Sequence, residues 1–167
     1  MSEASINVSR WEAQINKWKH PYPEITTELV MALIWVESDG DPWAVRYEPG
    51  YQYFYDHKRK LALYDNDHSA GVNRNRASSV LGSTEFTCQS QSYGLLQLMG
   101  AAARERGFTQ RWLTEMFDPE LNIKFGTLHL YEWGFARGTK DLTEALTRWN
   151  GSDTYPAKVF AKLELLK

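Results

Sequence analysis

Between Thr26 and Ser38 the chain reads Thr-Thr-Glu-Leu-Val-Met-Ala-Leu-Ile-Trp-Val-Glu-Ser, and this run constrains the fold more than any other. Leu29, Ala32, Leu33 and Val36 recur at helical spacing, while Val30, Ile34 and Trp35 fill the remaining faces. A helix that is apolar nearly all round is stable only when other elements surround it. Thr26 is a candidate N-cap, Glu28 puts acid in the first turn, and Gly40-Asp41-Pro42 stops the helix.

The rest of the chain offers the helices that would do the wrapping. Val8, Trp11, Ile15 and Trp18 give an amphipathic pattern over 7–19, closed by His20-Pro21-Tyr22-Pro23. Further helices are expected at about 94–106, 109–116, 119–136, 141–149 and 155–166, with Gly107, Gly138 and Gly151 as stops. Asp118-Pro119 reads as an aspartate N-cap with proline at the first helical position. Residues 40–92 form a long aromatic-rich segment, with Tyr47, Tyr51, Tyr53, Phe54 and Tyr55, expected to be a partly helical flap with a helix end or turn at Ser78–Gly82. The expectation is a mainly α single domain over 1–167, comprising an N-terminal helix and linker (1–23), the apolar helix, the 40–92 insert and a helical C-terminal half. A chain of 167 residues is long enough to bury a real core.

Glu37 ends the apolar helix one turn beyond Leu33 and Ile34 and beside Trp35 and Val36. Apolar surroundings disfavour the charged form of a carboxyl group, raise its pKa and leave it protonated near neutral pH, as a general acid requires. The competing reading is a helix-end glutamate that reaches solvent.

Three blocks carry a family resemblance. The first is Glu37-Ser38-Asp39-Gly40-Asp41-Pro42-Trp43-Ala44-Val45-Arg46, the second Tyr93-Gly94-Leu95-Leu96-Gln97-Leu98-Met99, and the third Ala145-Leu146-Thr147-Arg148-Trp149-Asn150-Gly151. In this order they resemble the catalytic-glutamate, Gly-Leu-Met-Gln and Ala-Leu-x-x-Tyr-Asn-Gly boxes of the soluble lytic transglycosylases, relatives of goose-type lysozyme. The resemblance spans roughly residues 25–160, with Asp118–Gly126 as a further matching stretch of scaffold. Departures are Gly40 for phenylalanine, Arg46 for serine, Leu96 for methionine, Gly100 for proline and Trp149 for tyrosine.

The resemblance implies a lysozyme-like fold and cleavage of peptidoglycan glycan strands, with Glu37 catalytic. Gln97 and Met99 become expected sugar contacts, and Ser38, Arg46, Tyr47, Tyr93, Trp149 and Asn150 candidate substrate-binding residues. Tryptophan at 149 keeps a ring and a donor but gives no hydroxyl, and Tyr155, Tyr131 or Tyr93 could supply one. A lytic transglycosylase works with one carboxyl group, because the muramic acid C6 hydroxyl is an internal nucleophile. Hydrolysis needs a second carboxylate, for which Glu48 is the candidate, fixed and ionised if it pairs with Arg46. A third reading is a noncatalytic module that binds peptidoglycan or builds a virion.

Composition agrees with a carbohydrate-active protein and excludes other classes. Seven Trp, nine Tyr and seven Phe exceed what a small helical core usually demands; core packing accounts for part of the excess, and flat faces on which sugar rings stack are one explanation for it. A formal net charge of −2 gives no sign of nucleic-acid binding. Cys88 is the single cysteine, so no intrachain disulfide forms. The histidines, His20, His57, His68 and His129, lack metal-ligand spacing, and Asp65–Gly71 lacks the sixth-position glycine of a calcium loop, so neither metal nor cofactor is expected. No apolar run reaches membrane length, and Met1–Ser5 lacks the basic start of a secretory signal. The expectation is therefore a phage endolysin or tail lysin, or a secretion-system enzyme, kept in the host cytoplasm or on a virion until a holin, virion or secretion apparatus brings it to the wall.

Overall fold

The computed structural model describes residues 7–19, 21–64, 74–135 and 138–166; His20, His68 and the Asp65–Gly71 stretch lie outside these. Helices dominate: α1 (Glu12–Lys19), α2 (Thr27–Ser38), α3 (Arg74–Leu81), α4 (Ser83–Gln89), α5 (Gly100–Glu105), α6 (Pro119–His129), α7 (Leu142–Asn150) and α8 (Tyr155–Leu166). A 3₁₀ turn (Leu113–Phe117) precedes α6 and a π-helical turn (Leu130–Gly134) follows it.

Helix α2 is the apolar run, and it is enclosed as its composition demands. The Thr26 hydroxyl accepts from Leu29 N at 3.1 Å to start it. Asp39 and Gly40, at φ 53° and 81°, end it with two left-handed residues. Gly40 is buried against Asn7, whose carbonyl oxygen would lie 3.1 Å from an added Cβ, and Arg10 Nη2 donates to Gly40 O at 2.7 Å. The N-terminal segment thus pins the end of α2 that carries Glu37. Leu29–Trp35 are all buried, among Ile15 of α1, Ile123 of α6, Ala145 and Leu146 of α7, and Tyr155 and Val159 of α8.

Residues 40–92 are built into the body of the protein. Strands β1 (Val45–Tyr47), β4 (Gln91–Tyr93) and β5 (Leu98–Met99) form an antiparallel sheet in the order β1-β4-β5, with Arg46 opposite Ser92 and Ser92 opposite Met99. A two-stranded ribbon pairs β2 (Tyr55–Asp56) with β3 (Leu61–Ala62). Buried Arg104 of α5 binds Glu85 of α4 through Nε at 2.7 Å and Nη2 at 3.0 Å, and so ties the insert to the C-terminal half. Helix α3 ends at Leu81 before Gly82, in keeping with the expected helix end.

Two expected helices are shorter than their patterns: that at about 109–116 is reduced to the 3₁₀ turn Leu113–Phe117, and that at about 94–106 loses its first turn and a half. Residues 94–99 form a tight turn and strand β5, and α5 begins only at Gly100. Gly94 has φ 66° because its backbone lies against Asn122 and Met116 O; an added Cβ would come within 2.7 Å of Asn122 Nδ2. Buried Asn122 holds the turn on three sides: Oδ1 accepts from Leu96 N at 2.8 Å, and Nδ2 donates to Tyr93 O at 2.8 Å and Met116 O at 3.0 Å. These contacts replace the helical ladder that the spacing of leucines suggested.

A second core cluster lies beyond the sheet, made of Tyr93, Leu98, Ala102, Ala103, Phe108, Leu113, Met116 and Phe125. Trp149 packs against both this cluster and the one around α2.

Candidate active site

The carboxyl group of Glu37 sits at the C-terminal end of α2, facing α7 and α8. Tyr155 donates its hydroxyl to Glu37 Oε1 at 2.5 Å, and Trp149 Nε1 donates to the same oxygen at 3.1 Å. Burial pushes the Glu37 pKa above its ordinary value, and the two hydrogen bonds and the charges of Arg46 and Lys158 only partly oppose it. The group is a protonated acid into a higher pH range than a solvated glutamate, with four neighbours able to stabilise its anion.

Helix ends set this geometry. Asp141 caps α7, its Oδ1 accepting from Thr143 N at 2.8 Å, and Gly151 at φ 80° ends it, which places Trp149 in the last turn. Four residues later Tyr155 opens α8, so both donors flank one short connection. Tyr155 is buried, and this burial, with the carboxyl beside it, drives its pKa well up and keeps the hydroxyl a donor. Of the three tyrosines that could supply a hydroxyl, Tyr155 is the one on Glu37. Tyr131 stacks on Tyr22 with centroids 4.5 Å apart, and the Tyr93 hydroxyl donates to Cys88 O and Gln91 Oε1, each at 2.9 Å.

The other candidates divide by what their polar atoms already do. Ser38 Oγ donates to Leu95 O at 2.8 Å and Ile34 O at 3.2 Å, tying α2 to the Gly94 turn. Gln97, at φ 44°, uses its amide on the protein: Nε2 donates to Ala44 O at 3.0 Å and Gly94 O at 2.9 Å, and Oε1 accepts from Ser92 Oγ at 2.9 Å. Tyr93 is fully buried in the second core cluster, where its ring serves as scaffold for the sheet. Arg46 and Met99 share the sheet face of Ser92, Tyr47 is exposed at the end of β1, and Asn150 is exposed at the end of α7. Glu48 accepts a hydrogen bond from Arg46 Nε, and its own backbone N–H donates to Ser90 O at 2.8 Å.

Sequence reasoning missed Lys158, which lies one turn beyond Tyr155 on α8 and bears on Glu37 through its charge. It also missed His129 and Arg106 behind Trp149. The His129 and Trp149 rings lie 5.6 Å apart, and Arg106 Nε donates to His129 Nδ1 at 3.2 Å. Burial, helped by the Arg106 charge, pushes His129 down to about 3, so this imidazole is neutral. The i,i+3 spacing of Tyr155 and Lys158 was visible in the sequence; nothing there pointed to His129. Among the described residues, no group of three or more His, Cys, Asp or Glu could hold a metal ion, and no helix is long and apolar enough to cross a membrane.

A half-buried helix-end glutamate under donors from two later helices, beside a small antiparallel sheet, defines a mainly α, lysozyme-like domain. The model of the transglycosylase SLT domain family matches residues 14–153. The chain belongs to that family. No curated protein and no solved structure matches it.

Proposed function

We propose that this protein cleaves the β-1,4 bond between N-acetylmuramic acid and N-acetylglucosamine in peptidoglycan and leaves a 1,6-anhydromuramic end. The observation that carries the proposal is Glu37: a carboxyl group whose pKa is raised by burial, yet whose anion would be held by Tyr155, Trp149, Arg46 and Lys158. Such a group can serve first as acid and then as base.

Glu37 gives its proton to the glycosidic oxygen as the C1–O bond breaks. Its carboxylate then takes the proton of the C6 hydroxyl as O6 bonds to C1. Glu37 ends protonated, as it began, and no water is consumed. The internal nucleophile supplies the proximity that an incoming water would lack.

Hydrolysis with Glu48 as second carboxylate is the weaker reading. The charged groups that bear most on Glu37 are the cations Arg46 and Lys158, while Glu48 is engaged by Arg46 at the end of β1.

The test is mass spectrometry of the fragments released from purified sacculi. Anhydro ends, one water lighter than hydrolysed ones, are expected from the wild type and absent with Glu37→Gln. Reducing ends would replace the proposal with hydrolysis, and wall binding without release would leave a binding module.

A further inference from the structure

Trp149 is a departure from its family's pattern, and it places a group of different chemistry on the acid. A tyrosine hydroxyl both donates and accepts; an indole N–H only donates. In this chain Trp149 Nε1 and the Tyr155 hydroxyl both reach Oε1 of Glu37, at 3.1 and 2.5 Å. Two donors converge on one carboxyl oxygen, and a proton on that oxygen would compete with both of them.

We infer that Trp149 is a positioning residue whose indole N–H, together with Tyr155, reserves Oε1 of Glu37 as an acceptor, so that Oε2 is the oxygen that holds and passes the proton. This rests on the reading of Glu37 as the acid. Glu37 thereby keeps one protonation geometry through the cycle: Oε2 faces the reacting sugar with its proton, gives it up, and regains it from the C6 hydroxyl.

The indole is braced for this task. Its ring packs against both core clusters. Behind it, the neutral His129 ring stands 5.6 Å away, its Nδ1 accepting from Arg106. The titratable and charged groups that bear on Glu37 are Tyr155 and Lys158 from α8 and Arg46 from β1, the last engaged by Glu48. Tyr155 also takes a hydrogen bond from Trp149, so a change at position 149 that removes only the N–H acts on Glu37 directly and through Tyr155.

The test uses Trp149→Phe and, should that variant fold poorly, replacement of Trp149 by benzothienylalanine, which exchanges the indole N–H for sulfur and keeps the shape. Two readouts are taken. The first is the infrared C=O stretch of protonated Glu37, assigned by its disappearance in Glu37→Gln. If Oε1 is the carbonyl oxygen, loss of one donor moves this band to higher frequency. The second is the alkaline limb of kcat/KM against pH, which moves up because a hydrogen bond that favoured the anion is gone, and Trp149→Tyr moves it back toward the wild type.

A C=O band that stays in place, or a rate that falls equally at every pH, would overturn the inference and leave Trp149 as packing alone. The infrared band is read on the resting protein, so it decides the role of Trp149 even if sacculi yield no anhydro ends, an outcome that would count against the proposed reaction instead.

Discussion

At the scale of one residue, Glu37 sets activity and stability against each other. Its folded-state pKa lies above its ordinary value, so the folded protein holds this proton more tightly than the unfolded chain does. As pH rises from the ordinary value through the raised one, the unfolded chain gives up its proton first and Glu37 erodes stability. Glu37→Gln removes that penalty and keeps an oxygen for Tyr155 and Trp149. The variant is expected to lose about 100- to 10 000-fold of turnover while its Tm near neutral pH equals or exceeds that of the wild type, with the difference shrinking as pH falls below the ordinary carboxylate value. Release of muropeptides and thermal melts over a pH series check both halves; a variant less stable at neutral pH would show that the carboxylate is a structural anchor. Tyr155→Phe acts in the opposite sense on the acid: it removes a bond that favours the anion, so the alkaline limb of the pH–rate profile moves up while the maximal rate falls.

Among elements, the Gly94–Met99 turn decides how the active-site helix meets the sheet, and a single buried asparagine governs it. Asn122 bonds Leu96 N, Tyr93 O and Met116 O within an apolar setting. Asn122→Ala leaves buried backbone groups without partners, each costing about 1–3 kcal/mol, and a total loss of about 3 kcal/mol is expected from urea denaturation, with larger losses in activity than at an exposed site because Ser38 of the helix is bonded to Leu95 of this turn. Legibility at this scale was uneven. Helix α2, its threonine cap, the Asp118-Pro119 start and the Gly151 stop were readable because each rests on bonds between near neighbours in sequence. The 94–99 turn was misread as helix because its leucines are spaced for one, whereas the bonds that set its shape come from Asn122, outside any local window. Glu37 was legible from its apolar neighbours and the ordered boxes. Tyr155 could be named only as one of three candidates, since a hydroxyl 118 residues away along the chain is brought to Glu37 by packing alone.

Across the whole molecule, the insert and the helical body respond to pH in opposite directions. Glu37 loses its unfavourable contribution as pH falls, but the insert is fastened by carboxylates whose pKa values are lowered. For Glu85, burial pushes the pKa up, and the hydrogen bonds from Arg104 and Gln89 outweigh it. For Asp56, burial is likewise outweighed, by the backbone N–H groups of Arg59 and Lys58 and the Arg59 guanidinium. Groups of this kind contribute stability that is complete above their unfolded-state pKa values and is lost as pH falls through the folded ones. Protonating Glu85 also leaves Arg104, 2% exposed, as a buried cation without its counter-charge. Acidification should therefore loosen α3, α4 and the β2–β3 ribbon before α2, whose contacts are apolar and whose own carboxyl group prefers the proton. Hydrogen exchange followed by mass spectrometry at pH 7 and at about pH 2.5, below the lowered carboxylate values and corrected for intrinsic exchange rates, is expected to show protection falling first in residues 74–89 and last in 29–35. Glu85→Gln should reproduce the loss in 74–89 at pH 7, because it breaks the same ion pair without acid. Uniform loss across both segments would mean that insert and body unfold as one unit, and that the Arg104–Glu85 pair contributes to global stability rather than to a separable dock.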